Sequence, residues 1–451
     1  MQGMTVLKAA AACCGRLVGE NGDAGLGRIV IDSREIAKGD LFAAYKGERT
    51  DGHEYIGAAL RAGAACCLAE RIPQDAGGPV ILVDDVQRAI EDIACAYRDG
   101  LSLPVIGVTG SVGKTSAKEM ISSVLSTRLS VLKTDKNLNN QIGVPMTVSR
   151  IEPVHQAAVI EMGISGFGEM SALARIVRPD IAVFTLIGHA HLEFLHDLNG
   201  VLRAKTEMLE YVPDDGCVIM NGDDELLAGF KCRQRKLSFG TGENCDVRAT
   251  DIRSSVENGT DCVITAFGRR IEAHIPAYGR HLVYATLEGA AVGILMGLTD
   301  EEISHGISRF ETVGRRAAIV KTDYLTLIDD CYNANPDSIK SSIDTLMDMP
   351  GRHVCVLGDM LELGDSAEEL HRAVGEYAKD KGVELIFTCG PLAEKIADGA
   401  GGRAEHFPGR EQLLMRLREE LRRGDCILVK ASRGMHFELV SDALRELGNV
   451  R

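Results

Sequence analysis

The chain has no tryptophan, and aromatic side chains make up only 4% of its 451 residues. That removes the stacking platforms on which single-stranded nucleic acids are held. Positive charge is scarce too: 50 Lys and Arg face 65 Asp and Glu, a net charge of -15. Neither a nucleic acid nor an anionic membrane surface is therefore an expected partner. No apolar run reaches the 18 residues of a spanning helix, so no membrane insertion is expected. The run Ala9–Cys14 is too short for the core of a secretory signal, which predicts a cytoplasmic protein. Thirteen cysteines are present, but no two stand in a C-x-x-C pair, which argues against a zinc ribbon or a disulfide framework. The neighbours Cys13–Cys14 and Cys66–Cys67 lie in Ala-rich apolar runs and read as buried thiols.

What is present is organised around the stretch from Pro104 to Ser116. An apolar run, Val105 to Val108, leads through Thr109 into Gly110-Ser111-Val112-Gly113, and Lys114-Thr115-Ser116 opens a segment with apolar residues at helical spacing. Strand, glycine turn and helix in that order form a phosphate cradle. The glycines let backbone N–H groups approach phosphate oxygens, and the helix start adds its positive dipole end. Lys114 suits the outer phosphates and the Thr115 hydroxyl a magnesium ion. A full Walker pattern would carry glycine where Val108 stands, so the loop is a shortened version.

The length allows two to four domains, and the spacing of strands and turns predicts three. Residues 1–102 read as a small α/β unit, with Ser33, Arg34 and His53 following strand-like runs where small ligands are often held. A turn-rich linker at Asp99–Pro104 ends it. Residues 103–312 alternate strands and helices, as in a doubly wound parallel sheet. There, Ala157–Ile160 delivers Glu161 at a strand end, a carboxylate suited to a phosphate-bound metal opposite Thr115. His189 and His191 could suggest zinc, but no third nitrogen or sulfur ligand lies nearby. Lys205 lies on a predicted helix, where a lysine ordinarily faces solvent or pairs with an acid such as Glu207. A β-meander is predicted over Asp246–Pro276, and a long Ala- and Gly-rich helix from Gly279 through Leu298. Residues 313–451 repeat the strand–helix rhythm of a second, open, Rossmann-like parallel sheet, without a G-x-G-x-x-G for a dinucleotide.

Taken together, Thr109–Thr115, Asn139-Asn140-Gln141-Ile142-Gly143-Val144-Pro145 and Glu161-Met162-Gly163 resemble the central domain of the Mur ligases. Asp329–Pro336, Gly358–Gly364 and Leu428–Arg433 are similar to the branch that joins D-alanyl-D-alanine to UDP-N-acetylmuramoyl-tripeptide. Asp32-Ser33-Arg34 and Lys46–His53 fit its uridine-nucleotide domain, so the resemblance spans the chain. It implies a monomeric enzyme of peptidoglycan precursor synthesis using ATP and Mg2+. The tripeptide carboxylate attacks the γ-phosphate, and the dipeptide amine then attacks the acyl phosphate.

By the same resemblance, Thr115, Glu161, His191 and a carbamoylated Lys205 would hold magnesium, with Lys114, Lys205 and His191 catalytic. Gly110–Ser116, Asn140, Arg315 and Asp330 would contact the nucleotide. Ser33, Arg34 and His53 would serve the uridine substrate, and Tyr332, Asn333, Asn335, Lys430 and Ser432 the substrates of the last domain. One departure concerns the base: the family carries asparagines where this chain has Leu282 and Ala285, which puts reading of the purine edge in doubt. A related ligase adding a depsipeptide or another dipeptide, or a nucleotide-driven switch, are the alternative readings.

Overall fold

The structure, a computed structural model, describes residues 1–47, 50–73 and 77–447. Glu48 and Arg49, part of the resemblance in the first domain, lie outside the described residues. Three sheets follow one another along the chain. The first contains β1 (Arg16–Val18), β2 (Ile29–Val30), β3 (Leu41–Ala43), β4 (Cys66–Ala69) and β5 (Val80–Leu82), in the order β1-β5-β4-β3-β2. All neighbours are parallel except β1, which runs antiparallel to β5 at the edge. Cys66 and Cys67 are fully buried in β4, as apolar-run thiols should be.

The second sheet holds β6 (Val105–Thr109), β7 (Val131–Lys133), β8 (Ala157–Glu161), β9 (Ile181–Phe184), β10 (Cys217–Asn221), β11 (Arg235–Gly240), β12 (Val247–Ser255), β13 (Gly259–Ala266) and β14 (Arg269–Ile275). Its order is β14-β13-β12-β11-β10-β9-β6-β8-β7. From β7 to β12 all pairs are parallel, and every residue of β6, β8, β9 and β10 is buried. Such continuous apolar runs are what a sheet covered by helices on both faces requires. The chain passes from β6 to one side and returns to the other at β9, which leaves a crevice at the carboxyl end of β6. The expected meander forms one edge of this sheet. Its strands β12 to β14 pair antiparallel and extend the same sheet.

The third sheet is β15 (Ala318–Lys321), β16 (Thr326–Asp329), β17 (His353–Gly358), β18 (Leu385–Cys389), β19 (Ala404–Phe407) and β20 (Cys426–Lys430), ordered β15-β16-β20-β17-β18-β19. It is parallel except at β15, a half-exposed antiparallel edge strand absent from the sequence reading.

Two helix contacts position the crevice. The phosphate-loop helix Lys114–Leu125 lies against the helix Arg280–Leu295, and a Cβ on Gly289 or Gly293 would come within 2.9 Å of Met120 or Val124. The Ala- and Gly-rich composition therefore sets a close approach of the two backbones. That second helix ends at Leu295, short of the expected Leu298, because Gly297 turns to φ 72°. The helix Val86–Asp99 fastens the first domain to the second. Its Ile90, Ile93 and Ala94 share an apolar cluster with Val144, Val148 and Leu173. Arg98, buried at its end, donates to the carbonyls of Leu101, Val177 and Arg178.

Candidate active site

A cavity of about 630 Å³ opens between the second and third sheets, at the carboxyl end of β6. Its floor is the phosphate loop. Gly110 takes φ 151° and Gly113 φ 90°, conformations that favour glycine, and Ser111 to Ser116 all face the space. A Cβ on Gly110 would lie 1.9 Å from the Thr185 hydroxyl, so steric closeness also demands glycine there. Lys114 Nζ donates back to the Gly110 carbonyl at 2.7 Å, which folds the side chain across its own loop. Enclosure lowers its pKa, the Glu161 carboxylate raises it, and Arg316 lowers it further.

Beside the lysine, the Thr115 hydroxyl donates to Glu161 Oε2 at 3.0 Å, and Asn139 Nδ2 donates to Oε1 at 2.8 Å. The side chain of Glu161 is thus aimed along the mouth of the loop by two partners. Asn140 also lines the cavity, and its side-chain Oδ1 accepts the Gly143 N–H at the start of the next helix.

Lys205 stands apart. It is 1% exposed, does not line the cavity, and makes no hydrogen bond or ion pair among the described residues. Glu207, the partner a bland reading would give it, instead accepts the Gly168 and Ser171 N–H groups at the head of another helix. Burial, and secondarily Lys114, drive the Lys205 pKa well below the ordinary lysine value. Burial therefore favours the uncharged form of this amine.

Both histidines meet carboxylates of the third domain, and His191 also lines the cavity. His191 Nδ1 pairs with Glu362 Oε2 at 2.5 Å, and His189 with Asp337, whose Oδ2 also accepts the His189 N–H at 2.6 Å. A carboxylate only accepts, so His191 Nδ1 carries the proton and Nε2 is its other, unengaged nitrogen. Among the described residues no group of three or more His, Cys, Asp or Glu could hold a metal alone, so the pair forms no zinc site.

The opposite wall comes from the third sheet. Asp330, just past β16, accepts from Lys430 Nζ at 2.5 Å, Ser342 Oγ at 2.7 Å and the Ala317 N–H at 3.0 Å. Lys430, at the end of β20, also donates to the Asn333 carbonyl at 3.1 Å. This buried pair orients the loop carrying Tyr332, Asn333 and Asn335, all of which line the cavity. Asn335 is a helix cap as well: its Oδ1 accepts the Ser338 N–H at 2.8 Å, ahead of Pro336 at the first helical position.

Several expected residues stand elsewhere. Arg315 does not line the cavity: it is held by Asp329 and by both oxygens of Asp442 inside the third domain. Its neighbour Arg316 faces the cavity instead, its guanidinium 3.8 Å from the centre of the Tyr332 ring. The tandem arginines were visible in the sequence, but which of the two faces the site depends on local backbone direction. Ser432 lies behind the wall, accepting the Leu361 N–H at 2.9 Å. Ser33 and Arg34 lie away from the cavity in the first domain, where Arg34 pairs with Asp32. His53 is buried there with both nitrogens engaged, Nδ1 on Asp51 at 2.7 Å and Nε2 accepting the Glu70 N–H at 3.0 Å. Both bonds give it a structural role. Residues that sequence reasoning passed over include His281, Tyr284 and Glu288 on the cavity face of the helix Arg280–Leu295. Their three- and four-residue spacing was the available signal.

Three family models match the chain: the Mur ligase family catalytic domain over residues 27–98, the Mur ligase middle domain over 108–293, and the Mur ligase glutamate ligase domain over 308–433. A Bacillus subtilis protein named UDP-N-acetylmuramoyl-tripeptide–D-alanyl-D-alanine ligase is 38% identical over 92% of this chain and 93% of its own. Crystal structure I of MurF from Acinetobacter baumannii matches with a TM-score of 0.89 at 30% identity, covering 98% of both chains. MurF ligase from Thermotoga maritima, in complex with ADP, gives 0.82 at 27% identity over 94% and 98%. With three consecutive models matched and this identity along almost the whole length, the chain belongs to the Mur ligase family.

Proposed function

We infer that this chain is an ATP-dependent ligase that joins D-alanyl-D-alanine to UDP-N-acetylmuramoyl-tripeptide through an acyl phosphate. The observation that carries this reading is the cavity itself. A phosphate loop with Lys114, Thr115 and Glu161 faces, across one space, the Asp330–Lys430 pair and the Tyr332–Asn335 loop of another sheet. A nucleotide held by the floor would thus meet two further substrates at the wall. In the proposed division, 1–102 takes the uridine nucleotide through the Ser33–Arg34 turn, 103–312 the ATP, and 313–451 the dipeptide.

Magnesium fits the donors present. A hydroxyl and a carboxylate 3.0 Å apart at the loop mouth suit a hard cation that keeps waters and takes its remaining ligands from phosphates. Thr115 and Glu161 would hold it, with His191 Nε2 and a carbamate on Lys205 completing the protein side. When bound, it neutralises charge on the phosphate oxygens.

The chain's own groups then divide the work. Lys114 stabilises negative charge on the transferring phosphoryl group, and Arg316 brings a second cation from the other domain. Contacts between the domains exclude water that would hydrolyse the acyl phosphate. The uncharged Lys205 amine can add CO2, forming an N–C bond and releasing one proton, which converts an uncharged group into an anionic one. Such a reaction, drawing on ATP and a UDP-linked precursor, belongs in the cytoplasm, and among the described residues no helix is long and apolar enough to cross a membrane.

The test is product analysis with ATP, UDP-N-acetylmuramoyl-tripeptide and D-alanyl-D-alanine. The expected result is one ADP and one phosphate per pentapeptide formed, with D-alanyl-D-lactate and D-alanyl-D-serine as competing amines that differ only in their second unit. ATP turnover that ignores both peptide substrates would overturn the reading in favour of a switch.

A further inference from the structure

The helix Arg280–Leu295 turns two polar side chains to the cavity that make no hydrogen bond or ion pair among the described residues, His281 near its start and Glu288 seven residues on. Glu288 is 2% exposed, lines the cavity, and has no hydrogen bond or ion pair among the described residues. The polar groups near it on the same wall are already engaged. Asp223 accepts from the Thr241 and Gly242 N–H groups and from the Tyr284 hydroxyl. Asn221 donates to the Thr185 carbonyl and accepts the Asp223 N–H. Across the cavity, the Ser342 hydroxyl binds Asp330 and the Thr345 hydroxyl the Ser341 carbonyl. A buried carboxyl group without a partner costs stability, so its retention in a ligand cavity points to a ligand.

Its position indicates which part of the ligand. Gly289 packs on Met120 of the phosphate-loop helix, six residues beyond Lys114, or about 9 Å at 1.5 Å per residue. That is too far from the cradle for a phosphate contact, and it matches the depth of a base carried beyond a ribose. The preceding turn offers the base no amide: Leu282 is packed into the core of the central sheet, and Ala285 lines the cavity with a methyl group. Glu288, three residues after Ala285, shares that face.

We propose that Glu288 reads the base of the bound nucleotide, its carboxylic acid donating O–H to a ring nitrogen of adenine while its carbonyl oxygen accepts from the adjacent exocyclic amine. Burial supports this form of the group by pushing its pKa well above the ordinary glutamate value. The neutral acid is one donor beside one acceptor, the complement of adenine's N1 and N6 edge. At the same two positions guanine presents the reverse order, an N1–H donor beside the O6 acceptor, and it adds a 2-amino donor that Glu288 leaves unpaired. A neutral Glu288 also adds no repulsion toward the phosphates.

The inference rests on the nucleotide reading above but is tested by binding rather than ligation, so the two can fail separately. Calorimetric titration of the full chain with ADP, purine riboside 5′-diphosphate (no exocyclic amine), 1-deaza-ADP (no ring N1) and GDP measures the discrimination. Wild type should favour ADP over each by about tenfold or more, the worth of one buried hydrogen bond or two. Glu288→Ala and Glu288→Leu should bring the ADP to purine riboside diphosphate ratio close to one. Glu288→Gln, which keeps a donor beside an acceptor, should hold it within about threefold. An unchanged ratio in the alanine and leucine variants, or equal loss in all three, overturns the proposal. Should a variant fail to fold by circular dichroism, wild-type indifference to the missing amine and ring nitrogen overturns it alone.

Discussion

His191 and Glu362 join two sheets across the mouth of the cavity, with Nδ1 and Oε2 2.5 Å apart and the Glu193 N–H donating to the Glu362 carbonyl at 3.1 Å. A second latch, His189 on Asp337, lies beside it. Both histidines therefore hold the second domain against the third. Because the two side chains of the first pair are 24% and 46% exposed, solvent screening keeps its worth to about 1 kcal/mol or less. Glu362→Ala should loosen the docked arrangement without unfolding either domain. Small-angle scattering should show a larger radius for the variant, and the ligation rate should fall about two- to fivefold. An identical radius and rate would mean that this pair does not govern docking.

Lys114→Ala tests the cradle. The lysine bonds only to carbonyls of its own loop, so its removal should leave melting temperature nearly unchanged. Ligation should drop on the order of 10³-fold as charge stabilisation of the transferring phosphoryl group is lost. Turnover within a few fold of wild type would remove this loop from the chemistry.

Burial without a counter-charge among the described residues lowers the Lys205 pKa and favours its uncharged form. Lys205→Ala should be almost inactive, and acetate should restore part of the rate by supplying the missing carboxylate. Lys205→Met, which buries no amine, should raise the melting temperature while remaining inactive. Full activity in the methionine variant would exclude a carbamate.

His53→Ala separates structure from substrate binding. It strands the buried Glu70 N–H, while Asp51 Oδ1 keeps the backbone N–H of residue 53, at a cost of about 1–3 kcal/mol. Urea denaturation should show that loss, whereas the KM for the UDP-linked substrate of the folded variant should stay within about twofold. A large rise in KM with unchanged stability would return His53 to the substrate site.

Glu288 carries a pH signature. The other titratable groups on its helix face and the adjoining wall are His281, Tyr284 and Asp223. The native protein keeps the Glu288 proton above the ordinary value of 4.5, where the unfolded chain releases it. The native state thus binds more protons there, and stability falls as pH rises above 4.5. Glu288→Gln abolishes this term, so its melting temperature should gain on wild type between pH 4.5 and neutrality. A constant difference across that range would mean that the group does not titrate this way.

Much of the fold was legible because its signals are local. β6, β8 and β16 are apolar runs ending in polar or glycine residues, and parallel strands buried on both faces must read that way. Gly110, Gly113, Lys114 and Thr115 are adjacent in sequence and act through one turn of backbone, so their arrangement follows from their order. Edge strand β15 escaped because a half-exposed strand of four residues leaves little periodicity, and the sheet that the meander joins was not legible because pairing partners are not encoded locally.

By itself, the sequence determined the phosphate cradle, the carboxylate at the end of β8 and the succession of three α/β units, since each is written in neighbouring residues. Only the tertiary structure decided what long-range contacts control: that Arg316 rather than Arg315 faces the cavity, that His53 is spent on Asp51 and Glu70, and that Lys205 has no partner among the described residues. It also decided that His191 reaches Glu362, 171 residues away in sequence. A side chain's charge state and availability depend on burial and on which distant groups reach it, and those are properties of packing rather than of order along the chain.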